Sequence, residues 1–131
     1  MATVLIVESD PLQGFLRKSI LEKQFHDVVR VSDASEALCL VEQPQFAPKL
    51  GLVIASHPMQ GIGGPAFVAE LHSRLPQVPI LVLGDPHTLN PDIGSDHLNG
   101  GWFRILTRPF SIDQLLELAS QMMSKHKLKT A

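Results

Sequence analysis

The stretch Leu52-Val53-Ile54-Ala55-Ser56 limits the possible folds more than any other part of this chain. Its apolar residues run without a break up to a hydroxyl, and Pro58 and the glycine-rich Gly61-Ile62-Gly63-Gly64 follow closely. A run this short and this apolar reads as a strand covered on both faces, the pattern of the middle of a parallel sheet. In an open parallel sheet, binding and chemistry sit beyond the carboxyl ends of the strands. Ser56 therefore stands where a functional group would be placed.

Similar runs recur at Thr3–Val7, at Val28, Val29 and Val31, at Ile80–Leu83 and at Trp102–Leu106. Helical patterns separate them. Asp10 is a good N-cap, Pro11 suits the first helical turn, and Gln13 completes a capping-box pattern. The helix that follows places Leu12, Phe15, Leu16 and Ile20 on one stripe, which predicts a packed face. Asp33-Ala34-Ser35-Glu36 opens a second helix with Ala37, Leu38 and Val41 inward. Gly64-Pro65 starts a third, with Phe67, Val68, Leu71 and Leu75 on its buried side. Ser111-Ile112-Asp113-Gln114 caps a long final helix carrying Leu115, Leu116, Leu118, Ala119 and Met122. Between Gly84 and Gly101, Pro86, Pro91, Gly94 and Gly100 interrupt any helix, so that segment is short or irregular. Five strands alternating with helices predict an α/β three-layer sandwich of flavodoxin-like size, with right-handed crossovers.

Composition narrows the function classes. A chain of 131 residues with 44% hydrophobic content forms one globular domain with a substantial core. A net charge of −2, with basic residues clustered only at Lys125, Lys127 and Lys129, gives no electrostatic footprint for nucleic acid. We place the domain at 1–125 and a basic tail or linker at 126–131. The single Cys39 excludes an internal disulfide and a cysteine-based metal cluster; we expect it on the buried side of its helix. No basic n-region precedes the first strand, and no apolar segment is long enough to span a bilayer, so the expected location is cytoplasmic.

The order of elements, the acidic end of the first strand at Glu8 and the Arg108-Pro109-Phe110 after the fifth together resemble the CheY-like receiver domain of two-component response regulators. The resemblance runs from Val4 to about Lys125. It implies a five-stranded parallel sheet in the order 2-1-3-4-5 and a role in phosphorelay signal transduction. In that family an acidic pair after strand one and an aspartate after strand three hold Mg²⁺, and that aspartate accepts a phosphoryl group. A Thr or Ser after strand four and a Lys after strand five bind it, and an aromatic residue in strand five serves as a switch. Here the acid pair falls on Glu8 and Ser9, with Asp10 just beyond, and the acceptor position falls on Ser56. The hydroxyl position falls on Gly84, the Lys position on Arg108 and the switch position on Ile105. The resemblance thus implies a pseudo-receiver with a degenerate phosphorylation pocket.

A serine hydroxyl is neither a charged nucleophile nor a hard cation ligand until something activates it. Glu8 and Asp10 are the remaining candidates for a cation, and we expect Mg²⁺ to bind weakly or not at all. Arg108 would instead form a fixed ion pair with Glu8, and the Arg108–Pro109 bond is expected to be cis, as the family's Lys-Pro bond is. No catalysis is expected at Ser56-His57, because adjacent strand residues point opposite ways and no nucleophile elbow surrounds them. Gly61-Ile62-Gly63-Gly64 reads as turn geometry, and the histidines at 26, 57, 72, 87, 97 and 126 show no metal-ligand spacing. The expected mode of action is protein contact with a kinase, an output domain or a second copy. The family's usual surface for it combines the fourth helix, fifth strand and fifth helix, here with Trp102, Phe103 and Phe110 as candidate interface residues. Two other readings stand beside this one: a receiver phosphorylated on Ser56 or His57 by an unusual route, and a flavodoxin-like small-molecule or nucleotide-binding domain.

Overall fold

The computed structural model describes residues 2–56, 64–84 and 102–130. Five strands, β1 (Thr3–Val7), β2 (Asp27–Val31), β3 (Leu50–Ser56), β4 (Ile80–Gly84) and β5 (Phe103–Thr107), form one sheet in the order β2-β1-β3-β4-β5. Every pairing is parallel. The described helices are α1 (Pro11–Leu21), α2 (Ala34–Val41), α3 (Gly64–Arg74) and the C-terminal helix α4 (Ile112–Thr130). A single 3-10 turn at Ala47–Lys49 leads into β3.

The sheet is covered on both sides, which is why its inner strands read as unbroken apolar runs. Strand alternation sorts their side chains into two cores. Leu5 and Val7 of β1 with Val53 and Ala55 of β3 pack against Ala37 and Leu38 of α2 and Phe67, Val68 and Leu71 of α3. Val4, Ile6, Leu52 and Ile54 point the other way, onto Leu21 of α1 and Leu115, Ala119, Met122 and Met123 of α4. Gly51 allows the close approach of α4: a β-carbon there would lie 2.9 Å from Cε of Met123.

Local expectations hold at most caps. Asp10 accepts from the backbone N–H groups of Leu12 (2.9 Å) and Gln13 (3.3 Å). Ser111 and Gln114 form a reciprocal capping box, at 3.1 and 2.8 Å. At α1 the box is not completed by Gln13, because the Asp10 N–H donates instead to Oε2 of Glu8 at 3.0 Å. The Arg108–Pro109 bond is cis.

Two expectations are corrected. The buried face of α1 carries Gly14, Arg17 and Leu21, while Leu12, Phe15 and Leu16 are exposed and Ile20 is half-buried. Cys39 is exposed, because it lies about 200° around α2 from Ala37, which is buried. The final helix runs from Ile112 to Thr130. The irregular segment anticipated between Gly84 and Gly101 lies, from residue 85, outside the described residues, as do His57 and the loop glycines Gly61 and Gly63.

Candidate site at the carboxyl ends of the strands

Glu8 follows β1 directly, and its backbone N–H donates to the carbonyl of Val31 on β2 at 3.0 Å, extending the ladder by one residue. That bond turns the Glu8 carboxylate into the space above the strand ends, where β3 delivers Ser56. The third member comes from α1. Glu8 is 6% exposed, Arg17 6% and Ser56 5%, so three polar side chains share one buried site.

Burying such groups is costly unless each has a partner. Here each does. Nη1 of Arg17 donates to Oε1 of Glu8 and to Oγ of Ser56, the latter at 2.6 Å. Oγ of Ser56 donates to the same Oε1 at 2.6 Å. Oε2 of Glu8 accepts the Asp10 N–H, and the Glu8 carbonyl accepts from Nη2 of Arg30 at 2.8 Å. Burial pulls the Arg17 guanidinium below the usual arginine range; the Glu8 carboxylate pushes it back up, and the charge of Arg108 pulls it further down. Glu8 and Arg17 therefore depend on each other for tolerating burial.

Gly14 explains how α1 comes close enough. A β-carbon at that position would lie 2.2 Å from Nε of Arg30 and 2.7 Å from its Cδ. The inward residues Gly14, Arg17 and Leu21 follow i, i+3, i+7, a helical repeat as regular as the apolar stripe. That repeat is the signal that could have identified Arg17, which sequence reasoning missed.

The remaining sequence-based candidates separate. Ser9 is half-buried and Asp10 exposed, with the Asp10 carboxylate capping α1. Gly84 is buried at the end of β4, and its carbonyl accepts the Arg108 N–H at 2.9 Å. Arg108 is half-buried beside Pro109. The cation bonded to Glu8 is Arg17, not the Arg108 anticipated from the sequence. Arg17 gets there because it projects from the buried face of α1, directly over the strand ends. Ile105, half-buried, pairs with Val82 and packs at the edge of the α2–α3 core.

The three aromatic interface candidates do not share one face. Phe103 is fully buried in the α2–α3 core, which removes it as a contact residue. Trp102 packs on that same side and stacks on His72 of α3, with ring centroids 3.6 Å apart and planes 7° from parallel. Phe110 packs on the opposite core, beside α4. Phe103 belongs to β5, whereas Phe110 lies beyond it, in the connection to α4. Among the described residues no cluster of three or more His, Cys, Asp or Glu side chains could hold a metal ion, and no helix is long and apolar enough to cross a membrane.

The strand order β2-β1-β3-β4-β5 is that of a CheY-like α/β fold. The chain belongs to the response regulator receiver domain family, whose model matches residues 4–120. It is 26% identical over 129 residues to the hydrogenase transcriptional regulatory protein HoxA of Cupriavidus necator, covering 98% of this chain and 25% of that protein. It is 28% identical over 112 residues to the transcriptional regulatory protein TcrA of Mycobacterium tuberculosis, covering 86% of this chain and 42% of that one. The chain thus spans a quarter to two-fifths of the length of these curated relatives. Two solved structures share the fold: a CheY-like receiver domain protein from Methanospirillum hungatei (TM-score 0.84, 19% identity, 98% of both chains) and a receiver domain protein from Clostridium thermocellum (TM-score 0.83, 19% identity, 98% of both chains).

Proposed function

We propose that this receiver domain works by protein contact and does not take a phosphoryl group at the end of β3. The observation that carries this reading is the state of Ser56. Its hydroxyl proton goes to Glu8 and its oxygen accepts from Arg17, and the side chain is buried. A nucleophile needs an accessible lone pair and a base poised to take its proton. Here one lone pair of the oxygen accepts from a cation, burial shields the other, and Glu8 is held in an ion pair.

The same arrangement argues against the divalent ion that the family uses. Mg²⁺ demands near-octahedral oxygen ligands and surrenders its water reluctantly. Oε1 of Glu8 is occupied by Arg17 and Ser56, Oε2 by a backbone N–H, and the Asp10 carboxylate by the helix end. These residues do not fit the ion, and the guanidinium already supplies positive charge at the site. On this reading the end of β3 carries no phosphoryl-transfer chemistry. The relatives named as transcriptional regulatory proteins favour an output domain as the contacted partner, with a kinase or a second copy as the other choices.

Amide NMR spectra recorded during addition of Mg²⁺ and then beryllofluoride, an acyl-phosphate mimic, test the reading. Unchanged spectra are expected. Shifts gathered at Glu8, Ser56, Gly84 and Arg108 would mean that the site still recognises a phosphoryl group, and the proposal would fail.

A further inference from the structure

The apolar stripe that α1 does not bury has an unexpected destination. Leu12 is 64% exposed, Phe15 65%, Leu16 44% and, at the start of α4, Ile112 53%. Scattered exposed apolar residues are ordinary; a group on one face marks a binding surface. Between α1 and the β5–α4 connection this surface deepens into a groove of about 360 Å³. Leu16 and Ile20 form one wall, and Phe110, Ile112 and Leu115 the other. The volume falls at the small end of the range of roughly 300–1,000 Å³ typical of small-molecule sites.

Two arginines, Arg17 and Arg108, also line this groove. Arg17 is more than nine-tenths buried, and both of its hydrogen bonds leave from Nη1. Its Nε and Nη2 form the second donor fork of the guanidinium and reach no partner among the described residues. Arg108 is near enough for its charge to pull the Arg17 pKa down. An anion placed against both would relieve that repulsion, and a planar fork favours carboxylate or phosphate. Apolar walls with a few convergent cationic donors are the usual composition of a site for an amphiphilic anion.

We propose that the groove between α1 and the start of α4 binds a small amphiphile, its carboxylate or phosphate head on Arg17 and Arg108 and its apolar body between Leu16, Ile20, Phe110 and Ile112. This site lies beside the buried Glu8–Arg17–Ser56 group and does not depend on whether Ser56 accepts phosphate. Arg17 belongs to both, so occupancy of the groove would be felt by the buried group through one side chain.

Octanoate, octyl phosphate, octanol and acetate are each titrated into the whole chain below any micellar concentration while amide and arginine Nε–Hε signals are followed. Octanoate or octyl phosphate should shift Leu16, Ile20, Phe110, Ile112 and Leu115 together with Nε–Hε of Arg17, and the tighter of the two identifies the head group. Octanol should bind roughly ten- to a hundredfold more weakly, the effect of losing charge-assisted hydrogen bonds, and acetate about a thousandfold or more, the effect of losing six buried methylenes. Ile112→Glu, at an exposed position that leaves the core intact, should abolish the shifts. Arg108→Gln should weaken binding by about tenfold or more. Octanol binding as tightly as octanoate, shifts scattered away from the groove, absence of any octanoate or octyl phosphate response, or an Ile112→Glu protein that binds unchanged would each overturn the proposal.

Discussion

Among the described residues, Arg17 and Arg74 each pair with glutamate, and their surroundings give the pairs opposite meanings. Arg17 reaches from α1 into a buried site and bonds Glu8 and Ser56. Arg74, at the end of α3, bonds Glu42 near the end of α2 and, at 3.3 Å, Glu70 one turn back on its own helix. The second set lies in water, where screening is strong and ordering long side chains offsets most of the attraction. In the first, water is excluded, so each charge is tolerated only because the other is present. Identical chemistry thus ties the outside of two helices loosely together in one place and fixes the functional end of the sheet in the other.

Breaking the buried pair from one side should have the largest effect. Arg17→Met leaves the Glu8 carboxylate buried without its cation, which costs about 3–5 kcal/mol in comparable pairs. Urea denaturation followed by circular dichroism should show a fall of that size. The double variant Glu8→Gln with Arg17→Met removes both charges and should recover most of it. A double variant no more stable than the single one would mean that Arg17 contributes by packing alone, and the contrast with Arg74 would collapse.

The sequence makes some of this visible and hides the rest. The strands are legible because both faces of the sheet are covered, so β1, β3 and β4 read as continuous apolar runs. The caps at Asp10, Asp33 and Ser111 are legible because capping is local chemistry. The rotation of α1 is not. An apolar stripe at Leu12, Phe15 and Leu16 states that one face is apolar, not that the fold covers it. A guanidinium on the inward face is tolerable only through partners 9 and 39 residues away in the chain, and no local window contains them. The same holds for Glu8: sequence reasoning paired it with Arg108, the cation the resemblance pointed to, and did not consider Arg17, which is the one bonded to it. For Trp102, Phe103 and Phe110, nearness in sequence suggested a shared surface, whereas Trp102 and Phe103 pack into one core and Phe110 into the other.

Smaller changes sharpen the comparison from within the buried site. Ser56→Ala keeps the ion pair but deprives Nη1 of an acceptor and Oε1 of a donor, so a loss of about 1–3 kcal/mol is expected by the same denaturation measurement. Gly14→Ala tests how closely α1 must approach. Its added β-carbon displaces Arg30 and breaks the 2.8 Å bond from Nη2 to the Glu8 carbonyl. Losing a hydrogen bond from a charged donor costs about 1.5–3 kcal/mol, whereas alanine in a helix returns up to about 1 kcal/mol relative to glycine. The balance is a net destabilisation of about 1 kcal/mol. A Gly14→Ala protein more stable than the parent would show that Arg30 relocates freely and that α1 is not held by it.

Arg74→Ala should have the smallest effect, and its salt dependence carries the comparison. Raising the ionic strength from about 0.1 M to about 1 M shortens the screening length from about 10 Å to about 3 Å. Whatever difference Arg74→Ala makes in melting temperature should therefore vanish at high salt. The Arg17→Met difference should persist, because the site that holds Glu8 excludes the ions that would screen it. If both differences faded together, salt would have access to Glu8, and the burial that sets the two arginines apart would not exist in solution. If neither faded, the Arg74 contacts would be acting through the packing of α3 on α2 and not through charge.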